Sequence, residues 1–116
     1  MKKKILFIFL ICFLFLISNS LALDSLNISG VSIPLVEGAT HVAEKEMPNA
    51  SVETFVVNKP LTQVVAFYSS YLKDNGFLLI GGEDPGGFNV SAKKNNTMFT
   101  LKIYSQDQKT VIYFIW

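Results

Sequence analysis

The segment that most constrains the fold is the single amphipathic stretch at residues 61–75. Its apolar side chains recur at spacings of three and four, which is the pattern of one buried helix face, and they are Leu61, Val64, Val65, Tyr68, Tyr71 and Leu72. Asn58 can cap such a helix, and Pro60 suits its first turn. Gly76 follows and can end the helix by adopting the left-handed backbone conformation. One helix in a chain otherwise rich in β-branched and aromatic residues predicts an α+β domain.

Strand patterns surround this helix. Residues 51–57 precede it, and residues 77–80, 88–93, 99–104 and 110–116 follow it, most of them with apolar side chains in period two. The short turns between the last three strands predict an antiparallel meander. The fold class predicted is α+β, with one helix packed on a four-stranded, mostly antiparallel sheet in the order β-α-β-β-β, which is one strand fewer than the five segments named above.

The remaining segments receive weaker assignments. Residues 31–36 are apolar but contain Pro34, so they are predicted as an extra N-terminal edge strand. Residues 41–49 are charged and are predicted as an exposed loop. Residues 81–87, which contain four glycines and a proline, are predicted as a flexible hairpin loop. Residues 23–30 are a polar lead-in, and residues 31–116 form a single domain.

The N-terminus indicates export. Three lysines precede an apolar run at residues 5–17, and Ser20 and Ala22 follow at the positions expected for cleavage. We expect residues 1–22 to be a cleaved signal peptide. The alternative is an uncleaved signal anchor, with membrane contact only through residues 5–23. Both interpretations predict an extracytoplasmic domain, either secreted or held at the cell surface.

Composition excludes several function classes. Without Lys2, Lys3 and Lys4, the predicted mature chain has seven of the ten lysines and all nine acidic residues, so its net charge is −2. It contains no arginine, so neither nucleic acid nor an anionic membrane is an expected partner. The lone cysteine, Cys12, lies in the apolar run. The predicted mature chain therefore has no disulfide, no catalytic thiol and no thiolate ligand, and we predict no cofactor.

Three short motifs resemble a known kind of protein. They are Ile33-Pro34-Leu35-Val36-Glu37-Gly38-Ala39, the helical run Val64-Val65-Ala66-Phe67-Tyr68 with Leu72, and Gly76-Phe77 after the helix. The chain resembles a group of small exported α+β domains of unknown function that often occur in envelope lipoproteins. The resemblance implies a fold and an envelope compartment but no chemistry, and this chain differs from many members in lacking a lipidation cysteine.

No catalytic or metal-binding residue is predicted. His41 is the sole histidine, and Glu44 or Glu46 is the nearest partner for acid–base chemistry, but a solvated loop histidine is the simpler interpretation. The acidic, glycine-rich segment 81–87 fits neither a phosphate loop nor a complete calcium shell. Four Asn-x-Ser/Thr sequences are candidates for N-glycosylation if the organism permits it, namely Asn27, Asn49, Asn89 and Asn95.

The aromatic residues of the last two strands suggest a contact surface. Residues 110–116 are apolar on both faces of a strand, and one helix covers only one face of a sheet. The predicted partner surface consists of Tyr104, Tyr113, Phe114 and Trp116. The chain is therefore predicted to be a non-catalytic binding module for an unknown protein or envelope component. The alternatives are a small secreted enzyme using His41 with carboxylates, or a hydrolase inhibitor.

Overall fold

The computed structural model describes residues 25–116, so the predicted signal segment at residues 1–22 lies outside the described part of the chain. In chain order the elements are β1 (Ser25–Ile28), β2 (Val31–Pro34), β3 (Thr40–Met47), β4 (Ala50–Val57), α1 (Leu61–Asp74), β5 (Leu78–Asp84), β6 (Gly87–Lys94), β7 (Thr97–Gln106) and β8 (Lys109–Ile115). Over residues 25–116, we find no helix with the length and apolar character needed to span a membrane.

The predicted four-stranded sheet is wrong. Six strands form one antiparallel sheet in the order β3-β4-β8-β7-β6-β5, and β1 pairs with β2 in a separate two-stranded sheet. The protein is mostly β. The predicted meander is confirmed for β6, β7 and β8, and the helix begins at the predicted Leu61 and ends at Asp74, one residue before the predicted end. Its N-cap is Pro60, without a side-chain hydrogen bond, so the predicted cap by Asn58 is wrong, whereas Gly76 has the predicted left-handed φ, at +82°.

The largest error concerns residues 41–49, which form most of strand β3 rather than a loop. This strand lies at the sheet edge and pairs only with β4. All of its eight residues except His41 are exposed. Backbone pairing is enough to hold an edge strand, and charged side chains protect such an edge from pairing with another chain. A charged sequence therefore did not exclude a strand.

The segment 81–87 is also mostly strand. β5 continues to Asp84, and only Pro85 and Gly86 form the turn to β6. Gly81 lies inside β5 with φ of +112°, and a Cβ there would sit 2.5 Å from the Asn89 carbonyl oxygen. Glycine at this position therefore permits a close strand approach and does not signal a loop.

The N-terminal hairpin corrects two further predictions. Residues 25–28, assigned to the lead-in, form β1, and Ile28 is fully buried. Residues 31–34 pair with β1 and do not form an edge of the main sheet. The Tyr68 hydroxyl of α1 donates a hydrogen bond to the Pro34 carbonyl and accepts one from the Val36 amide, both at 3.1 Å. The hairpin is thus attached beside the helix.

The two faces of the main sheet differ in cover. The inner face carries the core, in which Phe114 packs against Tyr68 of the helix at a centroid distance of 5.7 Å. Helix α1 lies over strands β5 to β8 of this face, with Val64, Tyr68 and Leu72 buried. Because side chains alternate along a strand, Tyr104 and Tyr113 lie on the opposite, outer face.

Candidate functional site

A cleft separates the first half of α1 from the β5–β6 hairpin. Its volume is about 450 Å³, within the range of small-molecule sites. The helix contributes one wall through Leu61, Val65 and Ala66, and Phe88 contributes apolar surface from β6. Val65, which the sequence placed in the core, is only half-buried and lines this cleft.

Acidic residues lie at one end of the cleft. Glu83 and Asp84 belong to its lining, next to Gly86 and Gly87 of the hairpin turn. Glu83 pairs with the buried Phe88 and faces inward with it, whereas the Asp84 carboxylate lies on the outer face with Tyr104. A neighbouring hollow of about 320 Å³ shares Glu83 and Phe88 and extends along the helix to Lys73, so the two hollows form one groove between helix and hairpin. The walls of this groove suit an apolar group, and the Glu83 carboxylate suits a hydrogen-bond donor or a cation.

A tyrosine fixes the end of the β5–β6 hairpin from the outer face of the sheet. The Tyr104 hydroxyl donates a hydrogen bond to Asp84 Oδ2 at 3.1 Å. Desolvation and the neighbouring carboxylate of Asp84 raise the pKa of Tyr104. The tyrosine ring covers Gly87 so closely that any Cβ at that position would overlap it. This contact between β5 and β7 therefore lies behind the groove and not inside it.

A second group of polar side chains lies at the far end of the inner face. His41 Nε2 is 2.6 Å from Glu53 Oε1, and the His41 ring lies 5.0 Å from that of Phe55. Glu44 completes the group. The sequence named Glu44 or Glu46 as partners of His41, and the structure places Glu44 beside His41. The closest partner, Glu53, comes from the neighbouring strand.

The four predicted surface aromatics do not form one surface. Tyr104 and Tyr113 are partly exposed on the outer face, whereas Phe114 is fully buried in the core. Trp116 is half-buried against the core at the end of the β4–β8 ladder. Three large apolar side chains that the prediction did not include are more exposed than these: Leu78 at 62%, Ile80 at 62% and Met98 at 58%.

The four glycosylation candidates occupy different settings. Asn27 is exposed on β1, where its side-chain oxygen accepts a hydrogen bond from the Gly30 amide. Asn49 and Asn95 are exposed in turns, and Asn89 is half-buried on β6. Glycosylation of these residues stays a prediction.

One comparison with known proteins gives a family. A family model described as START domain-like matches residues 36–109, which is more than half of the chain. The chain belongs to the START domain-like family. Neither the comparison with curated proteins nor that with solved structures gave a match.

Membership in the START domain-like family supports the predicted small domain of unknown function and indicates a ligand-binding module. The matched region includes α1 and β5 to β7, and therefore the whole groove. The family does not bear on the envelope location that the earlier resemblance implies. Sequence reasoning missed the groove because its lining comes from segments about twenty residues apart, and no local pattern marks such a juxtaposition.

Proposed function

We propose that this START domain-like protein is a non-catalytic, extracytoplasmic module that binds a small molecule in the groove between α1 and the β5–β6 hairpin. The observation that carries the proposal is the combination of an apolar wall with the acidic Glu83 in one cleft of about 450 Å³. The ligand class that fits is a largely apolar molecule bearing an amine or another hydrogen-bond donor.

The chemistry of the groove supports this ligand class. Burial of an apolar chain against Leu61, Val65 and Phe88 contributes roughly 25 cal/mol per Å² of apolar area removed from water. Glu83 offers acceptors and no donor when ionised, so it favours an ammonium group over a carboxylate. The groove thus favours a ligand that has an apolar body and a positively charged end.

Hexylamine and hexanoate test this selection as a matched pair of probes. Chemical-shift titrations of the full chain in mild detergent should show saturable shifts around Val65, Ala66 and Phe88 with hexylamine. We expect a Kd on the order of 1 mM, as suits a very small ligand. Hexanoate should bind more weakly, because its carboxylate and the Glu83 carboxylate of the groove carry like charge.

Two tryptophan variants locate the binding. Ala66→Trp fills the cleft and should abolish the hexylamine shifts. Ser70→Trp adds the same side chain at another exposed position of α1, outside the lining residues, and should bind as wild type does. Equal binding by both variants, or equal shifts with hexanoate, would contradict the proposal.

A second candidate function is partner binding through the outer face, as the sequence first suggested. The specific observation is the exposure of Leu78, Ile80 and Met98 on the same face as Tyr104 and Tyr113. Exposed apolar side chains grouped in this way are typical of interaction surfaces. Photo-cross-linking from Ile80 in intact cells, with Gln63 on the helix as the control site, tests it. Adducts formed equally from both sites would remove this candidate.

A further inference from the structure

Three side chains that bind metals in proteins meet near the β3 edge of the inner face. The ligand atoms of His41, Glu44 and Glu53 all lie within 4.8 Å of one another. The side chains of His41 and Glu53 are 29% and 18% exposed, so the group is partly enclosed, whereas Glu44 is exposed. The groove described above lies at the other end of the sheet, on β5 and β6, so this group is a separate feature.

A β-bulge creates the arrangement. His41 pairs with Phe55 and Ala43 pairs with Thr54, so Val42 is an extra residue in β3. In a regular strand, His41 and Glu44 are three positions apart and would face opposite sides. The extra residue brings both to the side of Glu53. Bulges that redirect a side chain in this way are found next to functional sites more often than elsewhere.

The electrostatics of the group favour a cation. Glu44 and Glu53 are direct cross-strand partners, and like charges in that position destabilise a sheet. His41 Nε2 is enclosed and, among residues 25–116, has no hydrogen-bond partner, although Glu53 Oε1 lies 2.6 Å away. The two atoms are close to each other, but their geometry is not that of a hydrogen bond. Nε2 therefore remains available as a ligand atom.

We infer that His41, Glu44 and Glu53 form a binding site for a divalent transition-metal ion, with Zn²⁺ the best match. One imidazole nitrogen and two carboxylates are ligands that Zn²⁺ accepts, at about 2.0–2.2 Å from the metal. Imidazole favours Zn²⁺ over Mg²⁺ and Ca²⁺, which prefer oxygen ligands alone. Binding would require a rotation of the exposed Glu44 side chain and a slight separation of His41 Nε2 from Glu53 Oε1, which lie 2.6 Å apart, and water would complete the shell.

Metal titration of the full chain tests this inference. The chain is purified in mild detergent without a histidine tag and with Cys12→Ser, so that the only thiol cannot bind the metal. Calorimetry should show one Zn²⁺ per chain, and Co²⁺ should produce the visible absorption of a low-coordinate site. Mg²⁺ should produce no heat of binding. Failure to bind Zn²⁺ at submillimolar concentration would overturn the inference and leave His41 and Glu53 as an ion pair.

Variants assign the ligands. His41→Gln and Glu53→Gln should each weaken Zn²⁺ binding by at least about 10–100-fold, the loss known for residues that only support a ligand. Glu46→Gln is the matched control, because it removes the same charge from β3 two positions beyond Glu44. Equal loss in Glu46→Gln and Glu53→Gln would show nonspecific attraction and overturn the site. If Glu53→Gln does not fold, the exposed Glu44→Gln supplies the same test.

Discussion

Strands β3 and β8 pair antiparallel with the two sides of β4, yet their surroundings are opposite. In β8 only Lys109 is exposed, and Ile112 and Phe114 have no exposed surface. In β3 every residue but His41 is exposed. One strand is defined by what its side chains pack against, and the other by the backbone of its neighbour.

The difference shows what each position of a sheet demands. A central strand under a helix must supply apolar volume, so its sequence is recognisable. An edge strand needs only the backbone ladder, so its side chains are free for other tasks. In β3 those tasks are protection of the edge and, by our inference, metal binding. The following predictions test this contrast, from the largest effect to the smallest.

Removal of a β8 core side chain should have the largest effect. Phe114 contacts the rings of Phe55, Tyr68 and Phe99 at centroid distances of 6.0, 5.7 and 6.1 Å. Phe114→Ala should lower the free energy of unfolding by about 3–5 kcal/mol, because it leaves a cavity. Val42→Ala on β3 is the control and should change stability by less than about 0.5 kcal/mol. Similar losses in urea unfolding of the two variants would refute the contrast.

The packing of helix α1 and the N-terminal hairpin over β8 should depend on the Tyr68 hydroxyl. Tyr68→Phe keeps the ring on Phe114 but removes the partner of the Val36 amide and the Pro34 carbonyl. Buried groups left unpaired cost about 1–3 kcal/mol, and thermal unfolding would measure the loss. An unchanged melting temperature would mean that water replaces the hydroxyl.

Alkaline pH gives an independent readout of the same residue. Burial raises the pKa of Tyr68, and the hydrogen bond from the Val36 amide offsets part of that rise. Because the folded-state pKa lies above the unfolded one, this stabilisation is complete below pH of about 10 and declines above it. Wild type should therefore lose more stability than Tyr68→Phe between neutral pH and pH of about 11. Equal losses of stability in wild type and Tyr68→Phe would mean that residues other than Tyr68 cause the sensitivity to alkaline pH.

Deletion of Val42 tests what the bulge contributes. Without this extra residue, β3 alternates regularly, and His41 and Glu44 stand two positions apart on the same face. We expect Zn²⁺ binding to be retained and the melting temperature to fall less than in Tyr68→Phe, since β3 has one neighbour among the described strands. Loss of zinc binding would show that the bulge itself positions the ligands.

The smallest expected effect changes sign with the metal. When a chelator keeps the protein free of metal, Glu44→Gln removes the like charge opposite Glu53 and should stabilise the protein by roughly 0.2–1 kcal/mol. With saturating Zn²⁺ the variant should instead be less stable than wild type, because it binds the ion less tightly. Melting curves in both conditions measure this reversal. A stabilisation of equal size in both would count against the metal.

Sequence reasoning recovered the elements whose side chains are buried. The helix, β4 and the last four strands were found because their apolar periodicity follows from the core they enter. Residues 40–47 were missed because nothing apolar marks an edge strand. The short β1 was missed because only Ile28 of its four residues is buried. The partner of His41 was sought along the chain, whereas Glu53 lies across the ladder.

The amino-acid sequence by itself determined a cysteine-free predicted mature domain, one helix followed by a left-handed Gly76, and an antiparallel meander, because periodicity and turn chemistry depend on neighbouring residues. Only the tertiary structure decided the sixth strand, the attachment of the hairpin through Tyr68, the groove and the contacts of His41. Each of these depends on register between segments distant in the chain. A shift of one residue, such as the Val42 bulge, changes which side chains meet.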